Sequence, residues 1–409
     1  MKKQFLPQQS YLIEVAIKGK YINNSYIKSV KITSTLSSYC PSIEIELSLS
    51  AKFIQENKLY GQDPVTLTIS LLGQGGVPLD NNKFELICTM VSFGSPALIS
   101  MSDGKQEEKA TVYISGVIKE PFISMTTLSN AIFGGTGDPK TAKEVIEDLV
   151  SKTSATLKYD TEGENLEKID QLCITPKTLY DTILYIDEAF GTHDGVPAVF
   201  CRHDNCIHII NLSKRINKNF VAKISQIALD KKGNQLEKKS LDGKNFYTDS
   251  FKHEFVGNAK FAAIGTKLSF VTKPSDGLSG MIELDVKDTI KKYGLIYKNP
   301  EFYVDPAINR ERIIEVSGGF EKSETWARTY IAKKFFNMST VSCSFGGMIL
   351  IENLLKVGEP IYIDPLTIEY LDFSGNYILY KSVISYKRIQ EADWIASATI
   401  DVVRTNKTI

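Results

Sequence analysis

From Ser323 to Ile409 the spacing of apolar residues changes period once, and that change constrains the fold more than any other feature of the chain. Trp326, Ala327, Tyr330, Ile331, Phe335 and Met338 recur at helical spacing behind Ser323, a residue suited to cap a helix N-terminus. Then the period becomes two. Val341, Cys343 and Phe345 alternate with serines, Pro360 to Ile363 follows a Gly-Glu turn, and Tyr377 to Arg388 and Trp394 to Val403 are strands joined at Gln390-Glu391-Ala392-Asp393. In the last strand Trp394, Ala396, Ala398, Ile400 and Val402 face one way, and Ser397, Thr399 and Asp401 face the other. A helix followed by such half-buried antiparallel strands predicts a small closed or nearly closed barrel flanked by a helix.

A chain of 409 residues exceeds one hydrophobic core, and the domain-size prior suggests about three or four units. Lys plus Arg equals Asp plus Glu at 48 each, so no net field draws the chain to nucleic acid or to an anionic membrane. No apolar run reaches signal-peptide length near Met1, and none approaches the roughly 20 residues of a membrane span. The expectation is a protein made or assembled in a cytoplasm, without membrane insertion. Its six cysteines are scattered, mostly in strand-like runs, which suits reduced thiols better than a disulfide framework.

Residues 11 to 118 read as an all-β unit. Tyr11, Ile13, Val15 and Ile17 alternate, and Ile43, Ile45, Leu47 and Leu49 alternate strictly with Glu44, Glu46 and Ser48. Further strands are expected at Val65 to Leu72, Phe84 to Phe93 and Ala110 to Ile118, with a short helical piece at Ala51 to Gln55 sealing a barrel end. From Leu128 the pattern turns to mixed α/β. Asp138-Pro139 and Thr175-Pro176 are helix starts, the second helix stopping at Gly191, and Ala198 to His203 with Cys206 to Leu212 form a hairpin. Between 213 and 315 a strand at Ile224 to Leu229, an alternation at Phe261 to Thr272 and a short helix at Asp288 to Tyr293 are expected, with a polar lysine-rich loop at 231 to 244. The expected fold is therefore mainly β with an α/β part. A first β-barrel domain spans 1–127, an α/β domain 128–214, an irregular middle domain 215–315 that contributes a strand to the second barrel, and a second barrel with its leading helix 316–409.

Few residues carry chemistry. Gly134 to Thr141 is one residue from a phosphate-binding loop, but Pro139 stands where a free backbone N–H is needed, so the stretch reads as a helix start. Cys201, His203, Cys206 and His208 lie on one face of the hairpin if Asp204-Asn205 is a two-residue turn, a candidate zinc face. Against that, in-strand ligands two apart stand about 7 Å from each other, and no second knuckle is near. Half-buried Cys and His on a hairpin are common, so no metal or other cofactor is expected. No Ser or Cys stands in a strand-turn-helix elbow, and Asp187-Glu188 reads as a solvated helix face, so no catalytic residue is expected.

The order of elements resembles the baseplate hub subunit of T-even-like contractile-tailed phages, an architecture shared with type VI secretion spike proteins. The match is carried by the helix at Thr325 to Met338, the strand Thr340 to Phe345, the Val357-Gly358-Glu359-Pro360-Ile361-Tyr362-Ile363 lead-in, the strands Tyr377 to Tyr386 and Trp394 to Thr405, and the Thr175 to Phe190 helix with its hairpin. The resemblance implies two similar barrels per chain and a homotrimer forming a pseudo-sixfold ring. Such a ring adapts the sixfold tail tube, or tube initiator, to the threefold spike, touches the surrounding baseplate wedge proteins and lets DNA pass unbound during genome ejection. Its place is the virion baseplate, assembled in the bacterial host cytoplasm. Glu44, Glu46, Ser48, Ser397, Thr399 and Asp401 are the candidate lumen or ring contacts, with an ordinary solvent-exposed strand face as the alternative. A second reading stays open, a metal- or carbohydrate-binding enzyme or accessory module using the Cys201/His203/Cys206/His208 face.

Overall fold

A computed structural model of the chain describes residues 10–58, 63–72, 78–95, 97–100, 106–134, 138–169, 171–202, 204, 206–227, 244–255, 267–272, 280–285, 288, 311–316, 324–336, 339–346, 355–366, 373–389 and 394–404. The first part holds the strands Ser10–Ile17 (β1), Lys20–Ile22 (β2), Ile27–Thr35 (β3), Ser42–Ser50 (β4), Pro64–Leu72 (β5), Pro78–Phe93 (β6), Ala97–Ser100 (β7) and Gln106–Ile118 (β8), with the helix Ala51–Asn57 (α1). Alternation decides these strands. Ile43, Ile45, Leu47 and Leu49 are buried while the intervening Glu44, Glu46 and Ser48 are not.

The α/β part contains Lys119–Thr126 (α2), Leu128–Gly134 (β9), Lys140–Thr141 (β10), Ala142–Val150 (α3), Thr156–Tyr159 (β11), Lys168–Ile169 (β12), Gln171–Thr178 (β13), Leu179–Phe190 (α4), Pro197–Cys201 (β14), Cys206–Asn211 (β15) and Leu212–Arg215 (α5). Both helices start later than the proline signals suggest. Thr141 caps α3 in a reciprocal box with Glu144, and Thr178 caps α4 by accepting from the Asp181 amide, so each Thr satisfies orphan N–H groups at its helix start. Gly191, at φ +77°, ends α4 as expected. Val145, Ile146, Leu149, Ile183, Ile186, Ile207 and Ile209 form this part's own core, to which Cys40 from the first part also belongs.

Beyond it lie Ala222–Gln226 (β16), Asn245–Thr248 (β17), Lys252–Phe255 (β18), Lys267–Thr272 (β19), Gly280–Asp285 (β20), Glu311–Val316 (β21), Glu324–Phe336 (α6), Ser339–Gly346 (β22), Pro360–Asp364 (β23), Gly375–Arg388 (β24) and Trp394–Arg404 (β25). In α6 the buried apolar residues described are Ala327, Ile331, Ala332 and Phe336; the expected cap Ser323 and Met338 lie outside the described residues, as do the lysine-rich loop at 231–243, the Gln390–Asp393 turn, and the expected helix beyond Asp288. The strand expected at 224–229 starts two residues earlier, and β16 runs parallel to β23, pairing Ala222 with Ile361 and Ile224 with Ile363.

A continuous ladder joins the strands of the two expected barrels. Among the described residues the ladders make one 15-stranded sheet, in the order β17-β16-β23-β24-β3-β4-β8-β6-β5-β1-β2, with β25, β22 and β18 continuing from β24 and β7 from β8. The cause is β24. Its first residues pair with β23, Ile378 against Pro360, and after an irregularity between Leu379 and Lys381 its remaining length pairs with β3, Lys381 against Thr35 through Lys387 against Ser29. A strand that changes neighbours along one edge fuses two strand sets into one sheet. At the far end Thr248 Oγ1 donates to the Ser344 carbonyl at 2.9 Å and the Phe246 and Phe345 rings stand 4.7 Å apart, so β17 approaches β22 without a ladder between them. One apolar core serves both sets, and Tyr11 of β1 packs edge-on against Tyr386 of β24 with centroids 5.1 Å apart.

Gly358, just before β23, has φ +83°, and a Cβ there would stand 2.6 Å from Ile210 Cδ1 and 2.8 Å from Phe200 Cζ. Gly358→Ala therefore combines left-handed backbone strain with overpacking, together about 3 kcal/mol. The expected result is a lower urea midpoint at unchanged slope, and an unshifted midpoint would refute this reading.

Candidate functional site

The registers place the two groups of candidate contact residues on the same side of the same sheet. One cross-strand row runs Gly346, Ser397, Ser385, Lys31, Glu44, Ser115 and Met90 across β22, β25, β24, β3, β4, β8 and β6. Parallel rows run Ser344, Thr399, Val383, Thr33 and Ser42; Ser342, Asp401, Lys381 and Thr35; and Lys387, Ser29, Glu46, Tyr113 and Ser92. The opposite side carries Ala396, Tyr386, Val30, Ile45 and Ile114 in one buried row. Period-two geometry forces this division once the register is set.

The polar side is hydroxyl-rich and mixed in charge. Lys31 Nζ meets Glu44 Oε2 at 3.1 Å, Ser29 donates to Glu46 at 2.8 Å, Ser342 donates to Asp401 at 2.6 Å, and the Ser344 and Thr399 hydroxyls are 2.8 Å apart. Ser48 continues the row beside Thr111 of β8. Lys252 and Glu254 of β18 extend the alternation of sign beyond Ser342. With both partners of the Lys31–Glu44 pair about half exposed, such a pair contributes under about 1 kcal/mol, so these charges set the character of a surface more than they hold the fold.

The joint between the α/β part and the C-terminal strands is where charge is buried. Arg202, directly after β14, donates from Nε and Nη2 to the Val357 carbonyl at 3.1 and 2.8 Å and meets Glu359 Oε1 at 2.8 Å, and Arg215 meets the same oxygen at 3.0 Å. Burial alone would raise the Glu359 carboxyl, but the two guanidinium groups outweigh that and leave it below the ordinary carboxylate range. A second pair joins α6 to α4. Lys333 Nζ pairs with Asp187 Oδ2, whose other oxygen accepts from the Thr192 amide and hydroxyl, while Thr329 donates to the His193 carbonyl at 2.8 Å. Asp187 is thus buried and not on a solvated face; its partner comes from a helix 146 residues away, which no local pattern could reveal. His193 is fully buried, stacks on Tyr159 at 4.8 Å, and is held in the neutral form chiefly by burial.

The hairpin residues do not share one face. Cys201 pairs with Ile207 and Phe200 with His208, one residue out of step with a two-residue turn at Asp204-Asn205. That single step sends Cys201 into the α/β core with Ile207 and Ile209, and puts Cys206 and His208 on the other side, where Phe200 stacks on His208 with centroids 5.6 Å apart. His203 lies outside the described residues. Burial pushes the Cys201 thiol well up.

Over its whole length this arrangement matches known folds. The tail protein from Neisseria meningitidis MC58 is 12% identical, with 97% of this chain and 97% of that chain covered at a TM-score of 0.58. The 43 kDa tail protein of prophage MuSo2 from Shewanella oneidensis is 12% identical, covering 97% and 99%, at a TM-score of 0.56. The chain has a tail-hub-like fold. A chain of the half-lidded Francisella PdpA-VgrG complex is 13% identical and aligns over 99% of this chain and 60% of its own at a TM-score of 0.49. No protein-family model matches the sequence, and no curated protein matches it.

In this tail-hub-like fold the residues that sequence reading missed are Arg202, Glu359, Lys333 and Asp204, each defined by a partner distant in sequence or by a turn geometry. Glu359→Gln leaves the buried Arg202 without its carboxylate and is expected to cost about 3 kcal/mol at neutral pH. Because the folded carboxyl titrates below its unfolded value of about 4.3, its contribution is present above that value and is lost as pH falls through the folded one. Urea unfolding of both proteins across that range is expected to show the gap narrowing in acid, and a gap independent of pH would contradict the assignment.

Proposed function

We propose that this chain is a structural, non-catalytic component of a phage tail, the homotrimeric central hub of a baseplate that adapts a sixfold tube to a threefold spike and lines the channel through which DNA leaves. The observation that carries the reading is the continuous polar side that β24 and β3 create across both strand sets. Three copies of a chain with two such sets side by side would present six similar sheet surfaces, the number needed to meet a sixfold tube while keeping threefold contacts below. Interspersed Lys31, Lys381 and Lys387 with Glu44, Glu46 and Asp401, set among hydroxyls, would let a polyanion slide by without being held. The partners in this reading are two further copies of the chain, the spike below, the tube or its initiator above, and the baseplate wedges around it. The particle forms in the bacterial host cytoplasm and the protein ends in the virion. Among the described residues no helix is long and apolar enough to cross a membrane.

The enzyme or carbohydrate-binding alternative needed Cys201, His203, Cys206 and His208 on one face, and the register separates Cys201 from Cys206 and His208. It is not the reading we favour.

Sedimentation of the purified chain is expected to give a trimer, alone or on adding its spike, and a monomer under every such condition would sink the hub reading. Glu44→Lys, Glu46→Lys and Asp401→Lys together exchange surface charges that contribute under about 1 kcal/mol each, so the variant is expected to fold and assemble. Unlike the parent, it should retain duplex DNA at physiological salt, with an affinity falling steeply as salt rises. Equal retention by both proteins would remove the polar side from the channel.

A further inference from the structure

Three metal-ligating side chains that the hub role leaves unused converge at the tip of the β14–β15 hairpin. Cys206 and His208, two apart on β15, project to the same side and are both buried, at 7% and 4% exposure. Two ligands alone do not make a zinc site. Asp204 in the turn supplies a third. Its carboxylate bends back so that Oδ1 and Oδ2 lie 3.1 and 3.2 Å from His208 Nε2, and Oδ1 accepts from the Cys206 amide at 3.3 Å. The Cys206 thiol meanwhile lies 3.3 Å from the Asp204 carbonyl. One oxygen, one sulfur and one nitrogen from these three residues all lie within 4.8 Å of one another. Tetrahedral zinc, with bonds of about 2.0 to 2.3 Å, requires ligand separations of roughly 3.3 to 3.8 Å, so the Asp–His pair is nearly at the needed spacing and the thiolate has to close a small gap.

We propose that Asp204, Cys206 and His208 form a three-ligand site for Zn²⁺, with water in the fourth position on the exposed Asp204 side. The donor set of carboxylate oxygen, thiolate sulfur and imidazole nitrogen suits zinc and disfavours calcium or magnesium, which take oxygen alone. Binding displaces the thiol proton to solvent, places the imidazole proton on Nδ1, and frees the Nε2 lone pair for the metal. Lys158 is the competing cation. Its Nζ sits 2.6 Å from Asp204 Oδ2, but its side chain is 52% exposed and can swing into solvent when a divalent ion takes its place. Arg202, the other nearby cation, is already committed to Val357 and Glu359 and need not move. Since Arg202 leads into this turn, metal at the tip would brace the segment that locks the α/β part to the C-terminal strands.

The test is titration of the full chain with Co²⁺, a spectroscopic stand-in for zinc, followed by displacement with Zn²⁺. One equivalent should bring up a cobalt–thiolate charge-transfer band in the near ultraviolet, and zinc should abolish it. Cys206→Ser should remove the band, His208→Gln and Asp204→Asn should weaken binding more than tenfold, and Cys201→Ala, on the opposite face, should leave the band intact. Lys158→Met, at an exposed side chain, should tighten Co²⁺ binding several-fold, which keeps the proposal testable even if a buried substitution fails to fold. Absence of the band in the parent chain, its survival in Cys206→Ser, its loss in folded Cys201→Ala, or no change in Lys158→Met would each overturn the site.

Discussion

Everything else in this molecule depends on the ladder between β3 and β24. Seven register pairs, from Lys381 against Thr35 to Lys387 against Ser29, join strands more than 340 residues apart in the chain. Because side chains alternate with period two, that register fixes which residues of seven consecutive strands are buried and which face outward. Slipping it by one residue would carry Ile384 and Tyr386 out of the core and bring Lys381 and Lys387 in. The burial of Ile32, Ile43, Ile45, Ile384 and Tyr386 on one side makes such a slip costly, so the outward rows are determined by the core rather than by the polar residues themselves.

A second level of order comes from buried charge. Arg202 and Arg215 on Glu359, and Lys333 on Asp187, tie the α/β part to elements that follow it by well over a hundred residues. Desolvated pairs of this kind add little net stability compared with apolar packing, but losing one partner is expensive, so they discriminate strongly against other placements of the parts. Gly358 belongs to the same joint, since only a residue without a Cβ fits between Phe200, Ile210 and Arg202 there.

Local order was legible and long-range order was not. Strict alternation placed β4 and β25 and the direction of Glu44, Glu46, Ser397, Thr399 and Asp401, because a half-buried strand writes its faces directly into its residues. The α3 and α4 helices are legible in the sequence, but each starts three residues after its proline signal, because Thr141 and Thr178 provide the caps. The ladder that joins the two strand sets is not legible in the sequence, since nothing in β24 says that its neighbour changes at Tyr380. For the same reason the hairpin at Cys201 to His208 was given a two-residue turn. One unit of register separated a four-ligand face from the observed cluster of Asp204, Cys206 and His208.

The tail-hub-like fold, the continuous polar side and the neutral charge balance meet in one geometric claim, that the β22 to β6 rows line a channel. Electron cryomicroscopy of the assembled tail tests it most directly. The account predicts a threefold ring of this chain with six similar sheet surfaces around the axis, Lys31, Glu44, Ser397, Thr399 and Asp401 facing the lumen. A ring with those residues turned outward, or a particle that places this chain away from the axis, would contradict it.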